Sequence, residues 1–140
     1  MIIDAAKIDN IIRETFDGKL ASDFSLQISD EKYFCPSIDD VKLLIKKNTV
    51  DRLQYTDDIF DCDDYALSLK YFFIKSAYKD KKRRYPYCVG IIMGGKLLGN
   101  IPHAINFVIT EKLKLLLIEP QNDSIIFPRK SDAEIFFVYI

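Results

Sequence analysis

The stretch DCDDYALSLKYFF (residues 61–73) carries the clearest helical pattern in the chain. From Cys62 onward, apolar side chains recur at the i, i+3, i+4, i+7 spacing of a packed helix, and Asp61 is a favourable N-cap. A cysteine therefore lies on the first turn of a predicted helix, on its apolar side, among acidic neighbours. It is either a buried core residue, which is common for free cysteine, or a nucleophile activated by another part of the chain.

Two further helices are predicted before this one. Helical spacing extends over residues 4–16, and a second helix begins after the N-cap Ser37 and ends near Asn48. Residues 17–36 are predicted to be irregular. Short β-branched and aromatic runs, typical of strands, follow at residues 85–93, 103–110, 114–120, 124–128 and 134–140.

This order of elements predicts an α+β fold, with N-terminal helices packed against a C-terminal antiparallel sheet. The length of 140 residues fits a single domain, 1–140, with a helical half at 1–80 and a sheet half at 85–140.

Composition excludes several classes of partner. The net charge is −1, and the one basic run, KDKKRR (79–84), is typical of a solvated loop, so we expect no nucleic-acid partner. No apolar run is long enough to span a bilayer, and the N-terminus lacks the pattern of a signal peptide. We therefore expect no membrane association and a cytoplasmic location. The sequence leaves the oligomeric state open.

The three cysteines, Cys35, Cys62 and Cys88, are widely spaced and form no CxxC pair. With a single histidine in the chain, a Cys/His zinc site is hard to assemble, so reduced thiols are expected. Cys35 precedes a proline and Cys88 lies within a strand pattern, and both are expected to be structural.

The only histidine, His103, begins one predicted strand, and Glu119 ends the next. A carboxylate at the end of an apolar run needs a polar partner. A hairpin with a three-residue turn at residues 110–112 would place His103 directly opposite Glu119, on the same face of the sheet.

These positions suggest a nucleophilic site. Cys62 would attack a carbonyl, His103 would carry the proton, and Glu119 would orient the imidazole. The free N–H groups at the helix N-terminus favour a thiolate, provided that the side chains of Asp63 and Asp64 point away from the sulfur.

The blocks DCDDYA, HAINFVI and LLLIEPQND resemble the motifs of papain-like and transglutaminase-like cysteine proteases. The similarity is greatest to the protease domain attached to a mushroom galactose-specific agglutinin, with its bacterial and phage relatives, over residues 33–123. It implies a Cys62–His103–Glu119 triad, a cleft lined by Gln121 and Tyr55, and a papain-like fold. This chain lacks the tryptophan and the lectin repeats of that relative, and its third triad member is Glu rather than the usual Asn or Asp.

The sequence defines the candidate metal ligands and oxyanion-hole donors less clearly than the three residues above. The resemblance implies calcium near the site, with Asp63 and Asp64 as the matching ligands, although no cofactor is required for the predicted chemistry. The acidic cluster lacks the glycine and distal glutamate of an EF-hand. The Cys62 N–H would be one oxyanion donor, and Gln54 or Tyr55 would supply the second.

The sequence thus predicts a cysteine hydrolase, either peptidase or amidase, that acts on a peptide or protein substrate. Acyl transfer by the same three residues is one alternative. The other alternative, from a different class, is a catalytically silent binding module or inhibitor, and the acidic setting of Cys62 favours it.

Overall fold

The computed structural model describes residues 1–128 and 133–140. Its helices are α1 (Ala5–Thr15), α2 (Ile38–Lys47) and α3 (Cys62–Lys79), with a short 3-10 helix at Val50–Arg52. Its strands are β1 (Ile2–Asp4), β2 (Leu20–Gln27), β3 (Lys32–Phe34), β4 (Val89–Gly95), β5 (His103–Ile109), β6 (Leu115–Glu119), β7 (Ser124–Ile126) and β8 (Glu134–Tyr139).

The three helices begin where the caps predict. The Asp4 side chain accepts a hydrogen bond from the Lys7 N–H, and Ser37 does the same for the Asp40 N–H. Each bond satisfies one of the free N–H groups of a first helical turn. These local signals set the start of an element without help from tertiary contacts.

Six strands form one mixed sheet in the order β2-β8-β4-β5-β6-β7. The β2–β8 pair is parallel, and the other pairs are antiparallel. The strands β1 and β3 form a separate two-stranded antiparallel sheet. Strands from both ends of the chain therefore meet in the main sheet.

Both faces of this sheet are covered. On one face Phe107 packs in a core cluster with Ile8 of α1. On the other face Val108 packs in a second cluster with Val41 of α2 and Leu69 of α3. Burial on both faces explains why β5 and β6 are near-continuous apolar runs rather than alternating ones.

The predicted fold class is therefore wrong. The sheet is mixed rather than antiparallel, helices cover both of its faces, and β2 comes from the segment predicted to be irregular. The strand β2 escaped prediction because its side chains are half-buried or exposed without alternation, and because its parallel partner lies at the other end of the chain. This mixed sheet with helices on both faces is not the predicted papain-like arrangement of N-terminal helices packed on a C-terminal antiparallel sheet.

Among the helices of residues 1–128 and 133–140, none is both long and apolar enough to cross a membrane. The single-domain interpretation stays a prediction.

Candidate functional site

The site is built around the N-terminus of α3. The Asp61 N–H donates a hydrogen bond of 3.3 Å to Asp64 Oδ2, as in a capping box. Cys62 is the first residue of the helix and is partly buried. The capping bond commits the Asp64 carboxylate to the backbone.

Buried Asn106 holds α3 against the sheet. Its Nδ2 donates to Ala66 O of α3 at 2.8 Å and to Gly90 O of β4 at 3.1 Å. One helical turn further on, Lys70 Nζ donates to Val89 O, and Val89 is paired with Val108 of β5. These contacts show that α3 runs alongside β5 in the same direction. The N-terminus of α3 and the start of β5 therefore lie at the same end of the sheet.

Sequence reasoning missed Asn106, although the signal was present. A lone amide inside the apolar run HAINFVI has to find hydrogen-bond partners on burial.

His103 and Glu119 are in direct contact at that end. The His103 Nε2 to Glu119 Oε2 distance is 2.6 Å, and the two side chains are only 14% and 10% exposed. The predicted register is wrong by two residues, because Asn106 pairs with Ile118 and the hairpin loop closes with a Thr110 N–H bond to Lys114 O. A shift of two residues preserves the face, so the side chains still meet diagonally.

The other predicted cleft residues lie after β6, in the case of Gln121, and in the segment before α3, in the case of Gln54 and Tyr55. The Gln121 N–H donates to Glu119 Oε1 at 3.1 Å, so the turn after β6 is tied to the carboxylate. Tyr55 is 47% exposed and stacks on Tyr65 of α3, with ring centroids 6.4 Å apart. Gln54 is exposed in the preceding loop.

The setting of the Cys62 sulfur differs from the prediction. Its Sγ and one carboxylate oxygen each of Asp61 and Asp63 all lie within 4.8 Å of one another. The acidic side chains of Asp61 and Asp63 thus lie beside the sulfur rather than pointing away from it. Among the hydrogen bonds of the described residues, none joins Cys62 to His103 or Glu119.

This acidic cluster has the chemistry of a cation site. A hydrogen bond with Asp61, followed by desolvation, raises the pKa of the Asp63 carboxyl. Asp61 Oδ1 is buried and has no partner among the described residues. The two neighbouring carboxylates offer the oxygen ligands that a hard divalent cation such as calcium takes.

Comparison with known protein families shows which family this chain belongs to. A family model described as Agglutinin C-terminal matches residues 33–125, which include the Cys62, His103 and Glu119 positions. The chain belongs to the Agglutinin C-terminal family. A search of curated proteins by sequence finds no match.

Two solved structures related to this agglutinin-family chain share its fold. The structure titled PSL1a-E64 complex superposes with a TM-score of 0.85 at 22% identity, over 99% of this chain and 51% of that one. Polyporus squamosus lectin, bound to the human-type influenza-binding epitope Neu5Aca2-6Galb1-4GlcNAc, gives a TM-score of 0.80 at 22% identity, over 99% and 49%. The present chain spans about half the length of these proteins.

These findings correct the predicted activity. The family is named for an agglutinin and the second structure for a lectin. The prediction of a thiol-dependent hydrolase is therefore wrong, as are the protease and catalytic-triad assignments that describe it. The physical reason in the site is that Cys62 Sγ faces carboxylates and has no hydrogen bond to His103.

The predicted peptide or protein substrate is wrong on the same grounds, since the ligand named for the Polyporus squamosus lectin is a glycan. The non-catalytic alternative fits better. The assignment of site residues, namely Cys62, His103 and Glu119 with the cleft residues Gln121, Tyr55 and Gln54, stays a prediction.

Proposed function

We propose that this member of the Agglutinin C-terminal family is a binding module that recognises a carbohydrate and leaves its bonds intact. The observation that carries the proposal is the setting of Cys62, whose sulfur lies among the carboxylates of Asp61 and Asp63. Such a thiol is poorly placed to act as a nucleophile.

We place the ligand at the end of the sheet where α3 begins. The His103–Glu119 pair and the side chain of Gln121 offer hydrogen-bond donors and acceptors to sugar hydroxyls, and exposed Tyr55 offers a flat apolar face to a sugar ring. A few polar groups beside an aromatic surface are what a small-ligand site requires. The carboxylates around Cys62 favour a neutral sugar over an anionic one.

A divalent cation such as calcium is part of this proposal. Asp61 and Asp63 would hold it, whereas the predicted ligand Asp64 is engaged by the Asp61 N–H. The cation would neutralise the carboxylate pair and stiffen the first turn of α3. The cytoplasmic location also remains a proposal.

The test is a titration of the isotopically labelled chain with Galb1-4GlcNAc, followed by amide chemical shifts, with and without calcium. We expect shifts at Tyr55, His103 and Gln121, and an affinity about tenfold lower for Tyr55→Ala, a loss of roughly 1.4 kcal/mol. Tyr78→Ala is the matched control, because Tyr78 is an 88% exposed tyrosine near the other end of α3.

Cys62→Ala should bind the disaccharide as tightly as the unchanged chain. The sialylated trisaccharide Neu5Aca2-6Galb1-4GlcNAc should bind no more tightly than the disaccharide. Absence of binding to both sugars, or cleavage of casein that disappears in Cys62→Ala, would overturn the proposal.

A further inference from the structure

A second concave site lies away from the cleft, where α2 ends. This cavity has a volume of about 550 Å³ and is formed by the C-terminal part of α2, the 3-10 helix, and the turn and strand β7 that follow β6. Its size is that of a small-molecule pocket, about 300–1,000 Å³. None of its lining residues belongs to the site described above.

Three residues that line this cavity each carry one buried polar atom that has no hydrogen-bond partner among the described residues. These atoms are Asn48 Nδ2, Asp51 Oδ1 and Asp123 Oδ1. Asn48 is only 5% exposed, and its Oδ1 accepts a hydrogen bond of 3.2 Å from the Val50 N–H. That bond fixes the orientation of the amide, so the unpartnered end is the donor. Unpartnered buried polar groups are costly, and three around one cavity point to a bound ligand.

The charges around the cavity select the class of ligand. Asp51 and Asp123 form no ion pair with Lys42, Lys46 or Arg52 within the part of the chain that the structure describes. An anionic ligand would be repelled by the two carboxylates. A cation would meet three basic side chains and the Asn48 amide donor, with only two carboxylates to hold it.

A hydroxyl group suits all three side chains, because it donates and accepts at once. Hydroxyls can donate to the carboxylates of Asp51 and Asp123 and accept from the side-chain amide of Asn48. Ile45 and Ile125 line the same cavity and can cover the C–H face of a ring. We propose that this cavity binds a neutral polyhydroxylated ligand, the size of one sugar ring, at a site independent of the α3 cleft.

The probe is methyl α-D-galactoside, titrated into the isotopically labelled chain, with sodium sulfate and calcium chloride as separate arms. We expect the galactoside to move the amide signals of Asn48, Asp51 and Asp123. Asp123→Gly should weaken this binding about tenfold or more. Glycine accommodates the positive φ of 59° at this position, so the change removes the carboxylate without adding backbone strain.

Asp51→Ala should weaken binding in the same way, whereas Asp23→Ala, at an exposed position of β2 on the opposite edge of the sheet, should not. Sulfate or calcium binding at these amides in place of the galactoside would overturn the proposal, as would no response to any of the three probes. If the galactoside moves only Tyr55, His103 and Gln121, and Asp123→Gly has no effect, this inference fails while the proposed α3 site stands. If Asn48 and Asp123 respond but the α3 site does not, this inference stands while the proposed α3 site fails.

Discussion

His103 Nε2 lies 2.6 Å from Glu119 Oε2, although the two residues are diagonal rather than directly opposite neighbours on β5 and β6. Long side chains can bridge a diagonal pair, and here both are largely buried. The carboxylate also accepts the Gln121 N–H, so one residue ties together two strands and the following turn. This pair is therefore structural support for the end of the sheet as well as part of the proposed site.

The first prediction concerns this pair. Glu119→Gln should lower the free energy of unfolding by about 1 kcal/mol, because a neutral amide keeps weaker hydrogen bonds to both partners. Glu119→Ala should cost about 2–3 kcal/mol, because it leaves a buried imidazole and an N–H group unpartnered. Urea unfolding measures both. In a cycle with His103→Ala, the two losses should be non-additive, and full additivity would show that the contact contributes nothing.

The second prediction concerns Asn106. Asn106→Leu should destabilise the chain by about 1–3 kcal/mol, since it leaves Ala66 O and Gly90 O without this buried donor. Asn106→Asp should cost more at neutral pH than in acid, because its carboxylate would face two carbonyl oxygens. Thermal unfolding distinguishes the variants from Asn100→Leu, an exposed control. Equal melting temperatures for the three would contradict the role assigned to Asn106.

The third prediction concerns the pH dependence of stability through Lys70. Burial lowers the pKa of Lys70, which donates to Val89 O and lies over the Tyr139 ring. Between this lowered pKa and the unfolded value of about 10.4, the unfolded chain binds more protons. The free energy of unfolding should therefore gain a contribution from Lys70 as pH rises through that window.

Urea unfolding across the alkaline range, compared between the unchanged chain and Lys70→Met, isolates this contribution, because methionine keeps the apolar stem and cannot titrate. A parallel pH dependence in both chains would show that Lys70 does not contribute.

The fourth prediction concerns Asp123. Desolvation, and then the nearby Asp51 carboxylate, raise the pKa of Asp123 to about 6. Its unfolded value is about 3.9, so between the two values the folded state binds more protons and stability falls as pH rises. Asp123→Asn should be more stable than the unchanged chain at neutral pH and should lose this acid-side slope. Asparagine also tolerates the left-handed backbone at this position.

The control for this titration is Asp51→Asn, which keeps Asp123 but removes the neighbouring negative charge. It should move the slope to lower pH without abolishing it. Lys42, Lys46 and Arg52 line the same cavity and are unchanged in both variants. If Asp123→Asn keeps the slope of the unchanged chain, another group is titrating.

The sequence predicted those features that depend on local chemistry. The N-caps Ser37 and Asp61 marked two helices correctly, because capping involves residues three apart. The His103–Glu119 contact was also anticipated, although the loop and register were wrong. The contact forms despite the shifted register, because side chains two residues apart on a strand lie on the same face of the sheet.

Features that depend on distant parts of the chain were not predicted. The pairing of β2 with β8 joins residues more than a hundred positions apart, and no local pattern reports such a contact. The same holds for Asn48, Asp51 and Asp123, which converge on one cavity only after folding. The side-chain orientations of Asp61 and Asp63 could not be predicted from helical geometry alone. In the structure, their carboxylate oxygens lie near Cys62 Sγ.

The central claim, that Cys62 is not an activated nucleophile, is tested most directly by its rate of alkylation with iodoacetamide at neutral pH. The reference is a peptide of residues 57–67, which carries the same cysteine and acidic neighbours without the fold. Mass mapping separates Cys62 from buried Cys35 and Cys88. We predict that folded Cys62 reacts no faster than the peptide. A rate about tenfold or more above the peptide, lost in His103→Ala, would show that the fold activates the thiol and would contradict the claim.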